Sequence, residues 1–133
     1  MIIGTGIDIV NIERIERLSA RWEDLFLSRV FTEKERIRCL RQARSSECFA
    51  IRFAAKEAFL KAIGSGLRDG IHWTDVEVLN DSRGKPYFSF HRRAKDIYET
   101  LRVRQAFLTL SHDRPYAVAH VILEGKGNEG GEL

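Results

Sequence analysis

The sequence has only two cysteines, Cys39 and Cys48, among its 133 residues. Two cysteines cannot build the disulfide framework of a small secreted domain, and their spacing matches no zinc-binding pattern. No motif around either cysteine indicates catalysis. We therefore interpret both as small, largely buried hydrophobic residues.

Long apolar runs are also missing, which excludes a membrane-spanning helix. Charged residues interrupt every apolar stretch well before the roughly 18 residues that a span requires. The apolar start, Met1 to Val10, lacks the positive flank and the cleavage site of a signal peptide, and Asp8 lies within it. We expect a cytoplasmic protein that contacts no membrane.

Neither repeats nor linkers divide the chain before its last residues. With 44% hydrophobic and 31% charged residues, the composition is typical of one globular domain, which we place at residues 1–124. Residues 125–133 (GKGNEGGEL) are rich in Gly and Glu and have no apolar periodicity. We predict that they form a disordered tail.

The charge balance is basic, with a formal net charge of +3 and a pI of about 9.1. A basic protein favours an acidic partner, whether nucleic acid, an anionic lipid, a phosphorylated small molecule or an acidic protein. Charge alone does not choose among these four classes.

The first ten residues alternate as a β-strand whose faces differ in bulk. One face carries Ile3, Thr5, Ile7 and Ile9, and the other carries Gly4, Gly6 and Asp8. The glycines let another backbone or a ligand come close to the second face. Asn11 then caps a helix in which Ile12, Ile15 and Trp22 are expected to face inward.

Two more helices are predicted in the middle of the chain. Thr32 and Glu35 form a capping box that begins a short basic helix reaching about Arg44. Ser45 or Ser46 caps a longer helix that runs to about residue 63 and ends at a glycine.

The second half combines strands with one helix. Strands are predicted at residues 75–80, 86–90, 105–111 and 116–123, with turns at Gly84 and at 113–115. A helix carrying Ala94, Ile97 and Leu101 separates the second strand from the third. We therefore predict an α+β fold with a mainly antiparallel sheet packed against a long central helix.

Two acids occupy apolar surroundings: Asp8 in the first strand, and Glu57 on a helix stripe with Phe53 and Leu60. A buried carboxylate is costly unless it is paired, so a separate ion pair for each acid is the alternative to a shared function. Lys61 lies one helical turn after Glu57, on the same side. Magnesium is usually held by one or two carboxylates, phosphate oxygens and water, and lysine supplies a point charge for phosphate. The pattern favours a magnesium–pyrophosphate site.

Several motifs resemble those of the 4′-phosphopantetheinyl transferases. The paired signatures of that family are matched by residues 7–9 (IDI) and 52–62 (RFAAKEAFLKA). The resemblance extends from residue 2 to about 124 through the motifs at 64–66 (GSG), 84–86 (GKP), 110–112 (LSH) and 116–119 (YAVA). The length of the chain matches the small, single-repeat branch of the family.

This resemblance implies a fold, an assembly and an activity. The family transfers the 4′-phosphopantetheine group from coenzyme A to a serine of apo acyl carrier protein, releases 3′,5′-ADP, and uses Mg²⁺ as cofactor. The reaction would serve fatty acid biosynthesis, with a carrier of the fatty-acid or polyketide type. A homotrimer with active sites at subunit boundaries is implied as well, with coenzyme A and acyl carrier protein as partners and no nucleic acid.

The resemblance also implies roles for individual residues. Asp8 and Glu57 match the magnesium ligands, and Lys61 matches the lysine near the coenzyme A phosphates. Positions near the nucleotide are matched by Lys85, Pro86 and His112, and more weakly by Arg52 and Ser65. The proton of the carrier serine would pass to Glu57 or to a metal-bound water, and the sequence leaves both open.

Three arginines, Arg14, Arg17 and Arg21, recur on one side of the first predicted helix. A solvated face balanced by Glu13 and Glu16 is one interpretation. A stripe of one charge sign also suits an acidic partner, and the resemblance implies that the carrier protein docks on this helix.

Two other classes of function compete with a transferase. A basic nucleic-acid-binding module accounts for the pI, but no recognition motif is present and that function gives no reason for Asp8 and Glu57 on apolar faces. A catalytically silent scaffold that binds coenzyme A is the third class, and a turnover assay distinguishes it from an enzyme.

Overall fold

A computed structural model describes residues 1–126, except for the side chains of Trp22 and Glu23. This part of the chain contains, in order, β1 (Ile2–Asn11), α1 (Ile12–Val30), α2 (Glu33–Leu40), α3 (Ser45–Ile63), β2 (Val76–Asn80), β3 (Pro86–Phe90), α4 (Arg92–Thr100), β4 (Val103–Asp113) and β5 (Tyr116–Gly125). Short 3₁₀ turns lie at Gly66–Asp69 and Trp73–Asp75. The inward orientation predicted for Trp22 and residues 127–133 of the predicted tail lie outside the described residues. The predicted start of the tail at Gly125 is wrong, because Gly125 is the buried last residue of β5 and its N–H donates to the Met1 carbonyl oxygen.

The strands form two antiparallel sheets. The larger sheet has the order β1-β5-β4, and β2 pairs with β3 as a hairpin. Helix α3 packs across the larger sheet and also contacts β2. This arrangement confirms the predicted α+β class with a central helix. No helix of the described residues is long and apolar enough to cross a membrane.

The glycine face of β1 packs directly on α3. A β-carbon added at Gly4 or Gly6 would overlap the backbone carbonyl oxygens of Ala62 and Ala58. Only glycine therefore permits this approach of strand and helix. The closeness places Asp8, two residues beyond Gly6, against the same helix.

The opposite face of β1 is exposed on the single chain. Ile7 and Ile9 expose 60% and 61% of their surfaces, and Phe107 on β4 exposes 43%. Apolar side chains arranged in this way on one sheet face are typical of a surface that another protein covers.

The helix ends follow the predicted signals in three places and differ in two. The side chain of Asn11 accepts a hydrogen bond from the Arg14 N–H, and the Thr32 capping box forms as predicted. Gly64 ends α3 with a φ of +78°. Helix α2 stops at Leu40 rather than near residue 44, and Arg44 occupies the N-cap of α3 without a side-chain cap.

A buried ion pair joins α2 to α3. Lys56 is fully buried, and its Nζ lies 2.9 Å from Glu35 Oε1. The ammonium also donates to the carbonyl oxygens of Trp73, at 3.1 Å, and Val76, at 2.5 Å. Glu35 Oε2 in turn accepts from the Val78 N–H at 2.8 Å. One lysine thus connects both helices to the start of β2.

The two cysteines form a disulfide, which corrects their interpretation as unlinked hydrophobic residues. Cys39 is a buried residue near the C-terminal end of α2, and Cys48 lies in the first turns of α3. Their Cα atoms are 5.3 Å apart. The reason is the turn at residues 41–44, which reverses the chain and brings the two helix ends within bonding reach.

Candidate active site

The predicted acid–lysine cluster lies where β1 crosses the C-terminal half of α3. Asp8 is only 8% exposed, and its Oδ1 accepts a hydrogen bond from Lys61 Nζ at 2.9 Å. The same ammonium donates to the Ile7 carbonyl oxygen at 3.1 Å. The second carboxylate oxygen of Asp8 is buried without a hydrogen-bond partner. A buried carboxylate oxygen without a hydrogen-bond partner can accept a donor or ligate a cation.

Glu57 faces this cluster from α3. Partial burial raises the pKa of its carboxyl group, and the negative charge of Asp8 raises that pKa further, whereas Lys61 and Arg14 oppose the effect. The hydrogen bond to Asp8 raises the pKa of Lys61. A carboxyl group whose pKa is raised by burial and by a second carboxylate is typical of a functional site.

The cluster offers two carboxylates to a metal. Among the side chains that the structure describes, which exclude that of Glu23, no group of three His, Cys, Asp or Glu residues converges. A cation held here would therefore complete its coordination with water or ligand oxygens. Magnesium accepts this arrangement, whereas structural zinc requires four protein ligands.

A cavity of about 520 Å³ adjoins the cluster at the end of α3, and we call it the loop cavity. Its lining residues are Glu57, Leu60, Lys61, Gly64, Ser65, Gly66, Leu67, Arg68 and Trp73. Among the residues predicted from sequence, Ser65 therefore lies with Glu57 and Lys61 rather than with the other candidate nucleotide contacts.

A second cavity, of about 800 Å³, lies beside the β2–β3 hairpin, and we call it the hairpin cavity. It brings together four predicted residues from distant parts of the chain, namely Arg52, Lys85, Pro86 and His112. Its wall also contains Arg38, Arg44, Glu47 and Asn80, which the sequence analysis did not single out. Cations outnumber acids around this cavity, so it suits an anionic ligand.

Arg52 belongs to the wall of the hairpin cavity. It is 5% exposed and donates to Asn80 Oδ1 at 2.5 Å and to the Cys48 carbonyl oxygen at 3.4 Å. Burial lowers the pKa of its guanidinium group. Its Nε is buried without a hydrogen-bond partner.

The turn before β3 presents Lys85. Gly84 has a φ of +87°, and Asp81 Oδ1 accepts hydrogen bonds from the N–H groups of Arg83 and Lys85. This stiff turn leaves the Lys85 side chain exposed at the cavity. The predicted turn geometry is thus confirmed.

The two cavities occupy different regions of one chain. The loop cavity contacts the C-terminal half of α3, the hairpin cavity contacts its N-terminal half, and they share no lining residue. Arg52 and Lys61 are about 13 Å apart along the helix axis at about 1.5 Å per residue. The predicted site residues therefore form two groups.

The predicted docking arginines lie on the exposed side of α1. Arg14, Arg17 and Arg21 are all exposed, while Ile12 and Ile15 on the opposite side are buried as expected. The charge of Arg14 reaches the acid cluster, since it acts to lower the Glu57 pKa. The stripe therefore begins beside the cluster.

Comparisons with known proteins show the family of this chain. Residues 4–121 match the 4′-phosphopantetheinyl transferase superfamily. The holo-[acyl-carrier-protein] synthase of Geobacter sulfurreducens is 52% identical over 124 residues, which cover 93% of this chain and 98% of that protein.

Two solved structures show the same fold. The holo-[acyl-carrier-protein] synthase of Neisseria meningitidis has a TM-score of 0.86 and 32% identity, over 93% of this chain and 99% of that one. The synthase of Bacillus anthracis, in complex with CoA (3′,5′-ADP), has a TM-score of 0.78 and 38% identity, over 95% and 99%. The chain belongs to the 4′-phosphopantetheinyl transferase superfamily.

Proposed function

We propose that this protein transfers the 4′-phosphopantetheine group from coenzyme A to a serine of apo acyl carrier protein, for fatty acid biosynthesis. The products are holo acyl carrier protein and 3′,5′-ADP. The observation that carries this proposal is the Asp8–Glu57–Lys61 cluster beside a cavity, in a chain similar throughout to holo-[acyl-carrier-protein] synthases.

Asp8 and Glu57 are the proposed ligands of a magnesium ion. The unpartnered oxygen of Asp8 and the mutually disfavoured charges of the two carboxylates fit a divalent cation. Bound there, magnesium would neutralise charge on the pyrophosphate of coenzyme A. Lys61 Nζ lies 2.9 Å from Asp8 Oδ1, so its ammonium group would lie against the same phosphates.

The hairpin cavity is the proposed nucleotide site. Arg52 and Lys85 supply positive charge, His112 supplies an imidazole that can hydrogen-bond a phosphate, and Pro86 supplies an apolar surface beside them. The loop cavity, with Ser65, lies against the acid cluster and is open to the arm of coenzyme A. Binding at these two places would hold coenzyme A from both ends of its pyrophosphate.

The reaction is a displacement at phosphorus. The carrier serine oxygen attacks the β-phosphorus of coenzyme A and forms the new P–O bond. The bond from that phosphorus to the bridging oxygen breaks, and its electron pair leaves with 3′,5′-ADP. The serine proton would pass to the Glu57 carboxylate or to a water molecule at the magnesium site. In phosphoryl transfer the protein contributes mainly positioning and charge neutralisation, and the charged groups described above provide both.

A transfer assay tests this function. Purified protein, coenzyme A and apo acyl carrier protein are incubated with and without Mg²⁺, and the mass of the carrier protein is followed. We expect the carrier to gain one phosphopantetheine group only when magnesium is present. Binding of coenzyme A without any transfer would instead identify a silent scaffold.

We further propose a homotrimer with active sites between subunits. The apolar outer face of the sheet, including Ile7 and Ile9, supports burial against another copy, and the family resemblance supports the number three. The separation of the two cavities on one chain gives the partner a role, because a neighbour's hairpin cavity can complete the site beside Asp8. Sedimentation at working concentration should give about three times the monomer mass, and a fully active monomer would contradict the proposal.

Charge reversal on α1 should weaken carrier binding alone. We expect Arg14→Glu or Arg21→Glu to raise the KM for acyl carrier protein about tenfold, because repulsion replaces attraction at the docking stripe. The KM for coenzyme A should change by less than about twofold. Steady-state kinetics against each substrate measures both effects.

Lys95→Glu is the matched control for this experiment, since it reverses an exposed cation on α4, away from the stripe. Its KM for carrier protein should remain near that of the unaltered protein. Equal losses for both substrates in the α1 variants, or no loss for the carrier, would refute the docking site.

A further inference from the structure

Glu47 is a buried acid in a cavity wall that is otherwise rich in cations. It lies in the first turn of α3 and is 7% exposed, and the hairpin cavity around it also contains Arg38, Arg44, Arg52 and Lys85. A negative charge at this place repels the anion that those cations attract. The acid therefore needs either a neutralising partner or a function of its own.

Arg114 neutralises Glu47 from outside the hairpin cavity. Its Nε donates to Glu47 Oε1 at 2.8 Å, and its Nη2 donates to Glu16 Oε2 at 3.2 Å. This hydrogen bond is the main cause of a lowered Glu47 pKa, so the carboxylate is charged. Arg114 does not line the hairpin cavity but a neighbouring one, together with Glu16.

Two other side chains with nitrogen donors, Arg44 and His112, lie near Glu47 without a hydrogen bond to it. Arg44 Nη1 lies 3.6 Å from Glu47 Oε1, and His112 Nε2 lies 3.8 Å from Glu47 Oε2. The side chains of Arg44 and His112 are 75% and 48% exposed. Both distances exceed ordinary hydrogen-bond lengths. Glu47 therefore attracts the two side chains toward the cavity wall while their donors stay available to a ligand.

We propose that Glu47 is a positioning residue that holds Arg44 and His112 at the hairpin cavity, ready for a phosphate group of the bound nucleotide. The arrangement works because Arg114 compensates the acid from behind, so that the anion meets the cations and not an exposed carboxylate. This inference rests on the proposed function, since it assigns coenzyme A to that cavity.

A purely structural role predicts a different outcome. An acid in the first turn of a helix stabilises the helix dipole wherever its side chain points. That role does not require a hydrogen bond to an arginine 67 residues away, or the gathering of Arg44 and His112 at a cavity. A positioning role predicts that loss of Glu47 weakens coenzyme A binding, whereas a purely structural role predicts a lower melting temperature.

Glu47→Gln is the principal test. The amide keeps the size of the side chain but carries no charge to attract Arg44 and offers only one oxygen toward His112, so we expect the dissociation constant of coenzyme A to rise about tenfold by calorimetry. The KM for coenzyme A should rise similarly, with the KM for carrier protein within about twofold. Glu16→Gln is the matched control, because it removes the other acid on Arg114 and should leave coenzyme A affinity unchanged.

Arg114→Gln provides a second, independent test. It leaves Glu47 uncompensated, so Arg44 and His112 should close onto the carboxylate and coenzyme A affinity should fall. In the Glu47→Gln/Arg114→Gln double variant the loss should be smaller than the product of the two single losses.

Unchanged coenzyme A affinity in Glu47→Gln would overturn the inference, as would equal losses for both substrates with a lower melting temperature. Calorimetry also separates this inference from the proposed function. Protein that binds coenzyme A with the expected Glu47 dependence but transfers nothing would refute the transferase and leave the positioning role intact.

Discussion

Alanine in place of Asp8 or of Glu57 should lower the transfer rate by about 10³-fold or more at saturating Mg²⁺. Each change removes one of only two carboxylates at the cluster, and the described side chains, which do not include that of Glu23, bring no third acid, histidine or cysteine to replace it. Steady-state turnover with saturating coenzyme A and carrier protein measures the loss.

Glu13→Ala is the matched control, because Glu13 is an exposed acid in the first turn of α1. It should retain near-normal turnover. If Asp8→Ala or Glu57→Ala did so as well, the assignment of the metal ligands would be wrong. A circular dichroism spectrum equal to that of the unaltered protein would show that the variant is folded, so that the lower turnover reflects the reaction and not unfolding.

The same cluster predicts a pH effect on the metal-free protein. The folded state raises the pKa of Glu57 above its ordinary value of 4.5. Between the ordinary pKa of the unfolded chain and the raised pKa of the folded protein, the folded protein binds more protons than the unfolded chain. The free energy of unfolding therefore falls as pH rises through this range. Glu57→Gln should remove this dependence and raise the melting temperature of the metal-free protein at neutral pH.

Lys56→Met should lower the free energy of unfolding by about 3–5 kcal/mol, because it leaves the buried Glu35 carboxylate without its cation. The ammonium also satisfies two backbone carbonyl oxygens, which would lose a donor. Urea denaturation followed by fluorescence measures the difference.

Lys61→Met serves as the control for Lys56. It also removes a lysine from an ion pair on α3, but the Lys61 side chain is 56% exposed, so its loss should cost about 1 kcal/mol or less. In a Glu35→Gln/Lys56→Met double variant, part of the stability should return. Similar, small losses for both lysines would show that the buried pair contributes little.

Local patterns in the sequence predicted much of the fold and the centre of the site. The capping box at Thr32, the terminating Gly64 and the β2–β3 turn depend on neighbouring residues, and each appears as expected. The glycine face of β1 and the stripe on α3 correctly indicated that Asp8 and Glu57 lie together. Such features depend on the periodicity of side chains and on steric space, and both are set by residues that lie close together in the sequence.

Long-range pairs were beyond prediction from one sequence. Lys56 meets Glu35 across 21 residues, and Arg114 meets Glu47 across 67. No local signal selects these partners, since the charges are abundant and only the packed fold brings one pair together. The disulfide was missed for the same reason, because it depends on how tightly the turn at residues 41–44 reverses the chain.

The separation of the two cavities has a consequence for mixtures of defective chains. Within the proposed trimer each site would combine the acid cluster of one subunit with the hairpin cavity of the next. An Asp8→Ala chain and a chain lacking Lys85 and His112 would each be inactive alone, yet every mixed ring would contain one junction with both halves intact. Random exchange of equal amounts would give about three mixed rings in four, so about a quarter of the normal sites would recover. Two null alleles of one gene would then complement each other in the same cell.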